Sequence, residues 1–288
     1  MYKHETGALY IVSTPIGNLD DITVRALRVL QSVDLIAAED TRVTRVLLDR
    51  HGIPTPVVSY HAHNASEKTP LLVSRMTEGQ SVALVSDAGT PLVSDPGTIL
   101  VQAVIEADLP VHPVPGPSAI LASLVVSGLT TDHFHFGGFL PRTEREIRAR
   151  LETLSSLNAT LIFFESPKRI QKTLRIMAEA WGDRPAVLCR EMTKMFETVE
   201  RGTLFSFREK GLGQPEKGEW TILVAGEPDS GSPPLTRDLI SLRNALSEFD
   251  IPKSHQARLM ARLTGMPRGE AYRLLFSEEI PDPGQDNL

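Results

Sequence analysis

The sequence is poor in cysteine, in long apolar runs and in net positive charge. Its 288 residues include a single cysteine, Cys189, which excludes an intrachain disulfide and fits a reducing compartment. No run of about 18 apolar residues could cross a bilayer, and the first residues lack the apolar segment of a secretory signal. We therefore predict a cytoplasmic protein with no membrane partner.

The charge balance and two missing motifs narrow the function further. The formal net charge is −6, which argues against an indiscriminate nucleic-acid binder but leaves room for one local basic face. No G-x-x-x-x-G-K-[ST] phosphate loop occurs, and the loop at 14–18 has one glycine where a dinucleotide fingerprint needs three. The acids Glu39 and Asp40 end a predicted strand, so a nucleotide-binding oxidoreductase stays open as a weak alternative.

Metal chemistry is poorly supported. His61 and His63, and likewise His133 and His135, would share a strand face, but neither pair has a third ligand at a familiar spacing. Cys189 lies in an apolar run and is best interpreted as a small core residue. We predict no metal site.

Apolar runs alternate with segments of helical spacing along the first half of the chain. We predict strands at 9–13, 33–38, 57–60, 82–85 and 111–114, with helices at 22–30, 41–49, 67–77, 98–107 and 120–126. This alternation implies a largely parallel sheet with crossover helices. A second strand and helix series begins at residue 134, so we predict an α/β fold with domains 1–128 and 129–228.

The segment 86–97, SDAGTPLVSDPG, is the most informative stretch. It is rich in Gly and Pro, and it connects a buried strand to a helix. The loops at 14–18 and 115–119 have the same character and also follow apolar strands. Because parallel strands end at one edge of a sheet, the three loops can converge there and bind a small molecule such as an adenine nucleoside.

Polar clusters at 164–169 and 190–194 follow two strands of the second half and predict a facing wall, with the two strand ends adjacent. Together with the loops they resemble a known family through seven motifs. The motifs are STPIGNL at 13–19, AEDTR at 38–42, SDAGTP at 86–91, PGPSA at 115–119, GFLP at 138–141, ESP at 165–167 and CRE at 189–191. Over residues 9–226 the chain thus resembles ribosomal RNA small-subunit methyltransferase I, within the tetrapyrrole methylase-like superfamily.

The resemblance implies a specific fold and reaction. It implies two α/β domains of the tetrapyrrole methylase type with a deep cleft between them, plus a small C-terminal helical module. It implies methyl transfer from S-adenosyl-L-methionine to the ribose 2′-hydroxyl of a cytidine in 16S rRNA of the small ribosomal subunit, by a homodimer. The cofactor residues carried over by motif are Pro15, Ile16, Asp87, Gly89, Thr90, Val93, Ser118, Ala119, Phe164, Met192 and Thr221.

Such a transfer is an in-line displacement, so the protein must hold the oxygen roughly 3 Å from the methyl carbon and exclude water. A nearby carboxylate or electropositive group would help to remove the hydroxyl proton. We place Glu165 and Lys168 on the substrate side and expect Asp95 to cap the following helix. The full set of catalytic candidates is Asp40, Glu165, Lys168, Arg190 and Lys194.

The region 229–288 opens with a Ser/Gly/Pro linker at 229–234, continues as three predicted short helices over 235–276 and ends in a tail predicted to be disordered. A basic helical face here suits RNA phosphates. Leu259, Met260, Leu263 and Leu274 are expected to pack the other sides. The RNA-binding candidates are Lys253, His255, Arg258, Arg262 and Arg268.

Two alternatives remain. One is a methyltransferase of the same fold that acts on a small tetrapyrrole or a protein side chain. The other is a non-enzymatic RNA-binding module. The basic C-terminal helices favour an RNA substrate over a small one, and binding of S-adenosylmethionine would exclude a pure RNA binder.

Overall fold

The computed structural model describes residues 7–211, 218–227, 242–243, 246, 251–264 and 267–276. The chain divides into two compact units, residues 1–226 and 227–288. The first unit contains two five-stranded sheets, and the second contains a pair of helices. None of the helices in these described ranges is long and apolar enough to cross a membrane.

The first sheet is wholly parallel and has the strand order β3-β2-β4-β1-β5. Its strands are β1 (Leu9–Val12), β2 (Leu35–Ala38), β3 (Val57–Ser59), β4 (Val82–Val85) and β5 (Val111–Val114). Each is followed by a helix: α1 (Val24–Ser32), α2 (Thr41–Arg50), α3 (Ala65–Thr77), α4 (Thr98–Glu106) and α5 (Ala119–Ser127). This confirms the predicted crossover architecture, which brings all five carboxyl ends to one edge.

Alternation along the strands divides the apolar side chains of this sheet between two layers. Leu9 packs on one face with Leu35 and Leu84, whereas Tyr10 packs on the other with Ile36. All four residues of β4 are buried, as expected for a central parallel strand covered on both faces. The sheet is therefore fixed from both sides, and its loops extend from a rigid base.

The second sheet is mixed and has the order β6-β7-β10-β8-β9. Its strands are β6 (Phe134–Phe139), β7 (Thr160–Glu165), β8 (Pro185–Arg190), β9 (Thr198–Thr203) and β10 (Trp220–Val224), and its helices are α6 (Glu144–Leu154), α7 (Ile170–Trp181) and α8 (Leu204–Lys210). The sequence predicts that the ends of β7 and β8 are adjacent, and this prediction is wrong. Instead β10 runs between them, antiparallel to both, so its first residues lie at the edge where they end.

Two helix N-caps lie beside the converging loops. The N-cap of α2 is Asp40, because its carboxylate accepts the Arg42 N–H at 2.9 Å. The predicted cap of α4 is wrong, since its N-cap is Gly97 rather than Asp95. Gly97 has a φ of 141°, which an L side chain rarely adopts, so the turn itself starts the helix and the Asp95 side chain is left for the cleft.

The second unit is built on α9 (Lys253–Thr264) and α10 (Arg268–Phe276). Its small core contains Leu246, Ala257, Met260, Ala271 and Leu275. Residues 242, 243 and 246 are also helical and belong to the first of the three helices predicted over 235–276. The described residues do not include the rest of that helix, the linker at 229–234 or the tail. Residues 212–217 also lie outside the described residues, and Lys210 ends α8.

Candidate active site

The three predicted loops meet at the carboxyl edge of the first sheet. Thr14 and Gly89 form a two-way backbone bridge, with N···O distances of 2.8 and 3.0 Å. The Ser13 and Thr90 hydroxyls are 2.9 Å apart, and the Thr90 Oγ1 donates to the Pro117 carbonyl at 3.4 Å. Each loop is thus held by the others, which makes their backbone groups a preformed cradle.

Gly89 is required at the centre of this cradle. Its φ is 79°, and a Cβ added there would lie 3.5 Å from the Ile16 side chain. The left-handed backbone allows the carbonyl and the N–H of Gly89 to face Thr14 at once. Any other residue would strain the loop bridge.

Between this cradle and the second sheet lies a cavity of about 410 Å³. All of the predicted cofactor residues line it except Pro15, which precedes Ile16 in the same loop. A volume of a few hundred Å³ is the size of a small-molecule or cofactor site. The structure therefore brings together residues from loops that are up to about two hundred positions apart in the chain, such as Ile16 and Thr221.

The far wall of the cavity is aromatic and was only partly predicted. Phe164, at the end of β7, packs against Phe136 and Phe139 with ring centroids 4.9 and 5.6 Å apart. Phe139 and Trp220 also line the cavity. Only 6% of the residues are aromatic. The position of Phe139 and Trp220 at strand ends was the one feature of the sequence that could have identified them as lining residues.

Carboxylates dominate the polar lining. Glu39, Asp87 and Asp95 belong to it, and no Lys, Arg or His does among the residues that the structure describes. Burial raises the pKa of Glu39, and the charges of Asp95 and Asp87 raise it further. Burial also raises the pKa of Asp95, against a hydrogen bond from Ser86. The sequence did not predict Glu39 or Asp95 as lining residues of the cavity, although the AEDTR motif contains Glu39.

The Asp40 side chain binds neighbouring residues at the start of α2. It forms an ion pair with Arg42 at 2.6 Å, and the hydrogen bonds from Arg42 lower the pKa of Asp40 to about 2. Its backbone N–H donates to Asp87 Oδ1 at 2.9 Å, which fastens the second loop to the end of β2. Asp40 is not among the residues that line the cavity.

Glu165 lines the cavity but is 2% exposed. Its Oε2 accepts the Thr173 hydroxyl at 2.7 Å, and its Oε1 accepts the Ser166 N–H at 2.8 Å and lies 3.3 Å from Arg169 Nε. Arg169 in turn donates to the Leu140 carbonyl at 2.9 Å. The carboxylate therefore fixes the turn after β7, which is a positioning role.

The other catalytic candidates surround the cavity without lining it. Lys168 is exposed, and Arg190 stacks over Trp220 at 5.6 Å from the ring centroid. Lys194 Nζ lies 3.1 Å from both Glu191 Oε1 and Glu219 Oε2. Of the predicted substrate-side pair, Glu165 lines the cavity and Lys168 does not.

The loop after β8 has an unusual backbone. Glu191 and Thr193 have φ values of 52° and 67°, and between them Met192 lines the cavity and packs in one apolar cluster with Ile16. Left-handed residues without a glycine cost of the order of 1–3 kcal/mol each. Such strain on both sides of one lining residue marks the loop as functional.

The second unit carries the predicted RNA-binding residues. His255, Arg258 and Arg262 are exposed on α9. Lys253 Nζ lies 4.9 Å from the centroid of the Phe276 ring, and Arg268 donates to the Ser254 carbonyl at 3.3 Å. All five are exposed, so they can form a basic face, and Lys253 and Arg268 also hold the helix pair together.

Of the four apolar residues predicted to pack the other sides of the basic helices, two are buried or half-buried and two are exposed. Met260 is fully buried and Leu274 is half-buried, but Leu259 and Leu263 are 43% and 65% exposed. Two helices enclose too little volume to cover every apolar side chain. The surface of α9 is therefore both basic and partly apolar.

Comparison with known proteins agrees with this geometry. The family model for tetrapyrrole (corrin/porphyrin) methylases matches residues 8–207. The chain is 47% identical over 271 residues to the ribosomal RNA small subunit methyltransferase I of Mesorhizobium japonicum, covering 93% of this chain and 91% of that protein. It is 45% identical over 269 residues to the protein of the same name from Xylella fastidiosa, covering 92% and 98%.

Solved structures share the fold. The uroporphyrin-III C-methyltransferase of Thermus thermophilus, in complex with S-adenosylhomocysteine, superposes with a TM-score of 0.55 at 21% identity. The match covers 76% of this chain and 97% of that one.

Proposed function

The chain belongs to the tetrapyrrole methylases and, within them, to the ribosomal RNA small-subunit methyltransferase I family, and from that premise we propose that it methylates the ribose 2′-oxygen of a cytidine in 16S rRNA. Transfer of a methyl group from S-adenosylmethionine to rRNA is the activity of the family. The observation that carries the proposal is the cavity between the two sheets, where three interlocked loops face an aromatic wall.

The residues of the cavity suit this cofactor. Backbone groups around Gly89 and the start of α5 at Ser118 can bind its polar parts, and Ile16, Phe164 and Met192 offer apolar contacts. When bound, S-adenosylmethionine supplies an electrophilic methyl group on a positively charged sulfur. The carboxylates of Glu39, Asp87 and Asp95 complement that charge, and their net field favours a cationic ligand over a neutral one.

The chemistry at the ribose needs a proton acceptor close to the reacting oxygen. Glu39 and Asp95 line the cavity and have raised pKa values, and a carboxylate accepts a proton more readily as its pKa approaches the working pH. We therefore assign proton acceptance to this pair rather than to Glu165. The aromatic wall excludes water from the reacting atoms.

The proposal extends to partners and surroundings. The exposed His255, Arg258 and Arg262 of α9 support binding to phosphates of the small ribosomal subunit. Leu121 and Val125 are 52% and 72% exposed on one face of α5, which supports burial against a second copy in a homodimer. The chain would work in the cytoplasm, where its substrate is assembled.

Transfer of a radioactive methyl group to small ribosomal subunits, followed by nucleoside mapping, tests the proposal. We expect the label in 2′-O-methylcytidine of 16S rRNA. Label in a methylated base would contradict the ribose assignment. Label in a tetrapyrrole or a protein, with none in rRNA, would favour the alternative of a same-fold methyltransferase, and calorimetry without any heat from S-adenosylmethionine would favour a non-enzymatic RNA binder.

A further inference from the structure

Two consecutive apolar side chains project from the loop between β8 and β9. Met195 is 90% exposed and Phe196 is 74% exposed, and we name this pair the tip. A large aromatic side chain that projects into water has no packing role in the monomer. With Arg190, Glu191, Glu197 and Thr198, the tip lines an open recess on the outer side of the loop.

The tip is rigidly presented. The Glu197 N–H donates to the Lys194 carbonyl at 3.1 Å, and Glu197 Oε2 accepts the Thr193 N–H at 2.6 Å. Glu191 Oε1 accepts the Glu219 N–H at 2.9 Å and pairs with Lys194. These bonds close the loop on itself, so Phe196 would lose little freedom on binding a partner.

The recess lies close to the active site. Met192 lines the cavity only four residues before Phe196. Arg190, in the recess, lies over the ring of Trp220, which also lines the cavity. The tip and the cavity are therefore connected by one short loop and one stacked pair of side chains.

An aromatic ring beside an arginine is a combination that binds unpaired nucleotides, because the ring stacks on a base while the guanidinium attracts the phosphate. We propose that Phe196 is the stacking platform for an unpaired base of the RNA substrate next to the methylated nucleotide, with Arg190, which lines the same recess, as the positive charge that attracts its phosphate. The proposal rests on the proposed function and adds a second RNA contact, on the catalytic unit itself.

A second copy of the chain is a less favourable occupant. The tip offers two apolar side chains above a recess whose other members are charged or hydroxyl-bearing, whereas stable copy-to-copy contacts have more extended apolar cores. The face of α5 that holds Leu121 and Val125 is a better candidate for such a contact. RNA also explains why the tip stands beside the cavity.

The test compares Phe196→Ala, Phe196→Trp and Phe196→Leu with wild type, using small ribosomal subunits as substrate. The matched control is Ile105→Ala, since Ile105 is also exposed, at 62%, but lies on α4. We expect Phe196→Ala and Phe196→Leu to lower kcat/KM for RNA roughly 5- to 100-fold, as expected from the loss of one stacked base. Phe196→Trp should retain activity, and the Kd of S-adenosylmethionine should not change.

Several results would overturn the inference. Unchanged kcat/KM in Phe196→Ala would do so, as would full activity in Phe196→Leu, because leucine cannot stack. Dissociation of an oligomer by Phe196→Ala in sedimentation would instead identify the tip as a contact between copies. Failure of the proposed function gives a different result, because wild type would then transfer no methyl group to rRNA. Filter binding tests the inference independently: equal retention of rRNA by wild type and Phe196→Ala would contradict it.

Discussion

The backbone N–H of Asn18 donates a 3.1 Å hydrogen bond to the Oγ1 atom of Thr193, and this bond joins the loop after β1 to the loop after β8. Beside it, a Cβ on Gly17 would overlap Lys194 Cγ and lie 2.9 Å from its Cε. The two sheets are thus fastened at a point next to Ile16 and Met192, which line the cavity. The width of the cavity depends on this close approach.

Gly17→Ala should weaken cofactor binding by separating the two loops. The added methyl group must displace Lys194 and disturb the Asn18–Thr193 bond, and overpacking of this kind costs about 1–3 kcal/mol. We expect the Kd for S-adenosylmethionine, measured by calorimetry, to rise roughly 5- to 100-fold. Gly269→Ala is the control, because nothing lies within 4 Å of a Cβ there; equal affinities for all three proteins would show that the fastening does not set the width of the cavity.

Glu165→Gln should reduce stability and spare catalysis. The substitution breaks the pairing with Arg169, which is itself about one-third exposed, so we expect a loss of about 2–3 kcal/mol in unfolding free energy. Urea denaturation measures that loss, and kcat should stay within about twofold of wild type. A fall in kcat of about a hundredfold or more with unchanged stability would instead identify Glu165 as a base.

Glu39→Gln should stabilise the unliganded protein in a pH-dependent way. A carboxyl whose folded pKa is raised above its ordinary value of 4.5 favours the folded state most when it is protonated, and that contribution is lost as the pH rises through the raised pKa. The variant has no such loss. Its Tm should exceed that of wild type more at about pH 7.5 than at about pH 4. The exposed Glu152→Gln on α6 should show no comparable pH-dependent gain.

Neutralising the carboxylates should also change cofactor discrimination. S-adenosylmethionine carries a sulfonium charge that S-adenosylhomocysteine lacks. In a Glu39→Gln/Asp95→Asn double variant, we expect the Kd of the charged ligand to rise by roughly tenfold and that of the neutral ligand to change much less. Parallel calorimetry measures both. An equal loss for the two ligands would mean that these carboxylates hold a part of the cofactor other than the sulfonium.

Arg258→Gln/Arg262→Gln should weaken methylation of the small subunit and leave cofactor affinity unchanged. Removing one arginine–phosphate pair should reduce the slope of log K against log salt by about 0.7 for single-stranded RNA, so the slope for the double variant should fall by roughly 1.4. The charge-matched control is Arg28→Gln/Arg45→Gln, on exposed positions of α1 and α2. A parallel weakening in the control would point to a general effect of charge.

The first sheet and its converging loops could be predicted because their signals are local. The run at 82–85 is continuously apolar and is followed by a loop rich in Gly and Pro, which predicts a buried strand that ends there. The structure places this run as the central strand of the first sheet. Strand direction then follows from the crossover helices. Eight of the eleven cofactor residues carried over by motif lie on these loops, and all of those eight except Pro15 line the cavity.

The remaining features depend on side-chain contacts that the sequence pattern does not show. Arg169 and Thr173 stand four and eight residues after Glu165, but a cluster of polar residues does not indicate that both engage its carboxylate. The residues next to Glu39 do not indicate that Asp95 will lie near enough to raise its pKa. The edge strand β9, TVERGT, is half-exposed and polar, so its alternation carries no strong apolar signal. Tertiary packing decided each of these roles.

Cys189 has a practical consequence. Its side chain is fully buried in β8, and burial raises the pKa of its thiol, so it reacts slowly with thiol reagents at neutral pH. Wild type therefore offers a silent background for labelling. Fluorophores placed through Ile105→Cys on α4 and Ser254→Cys on α9 would report, by energy transfer, whether the separation of the two compact units changes when the ribosomal substrate binds.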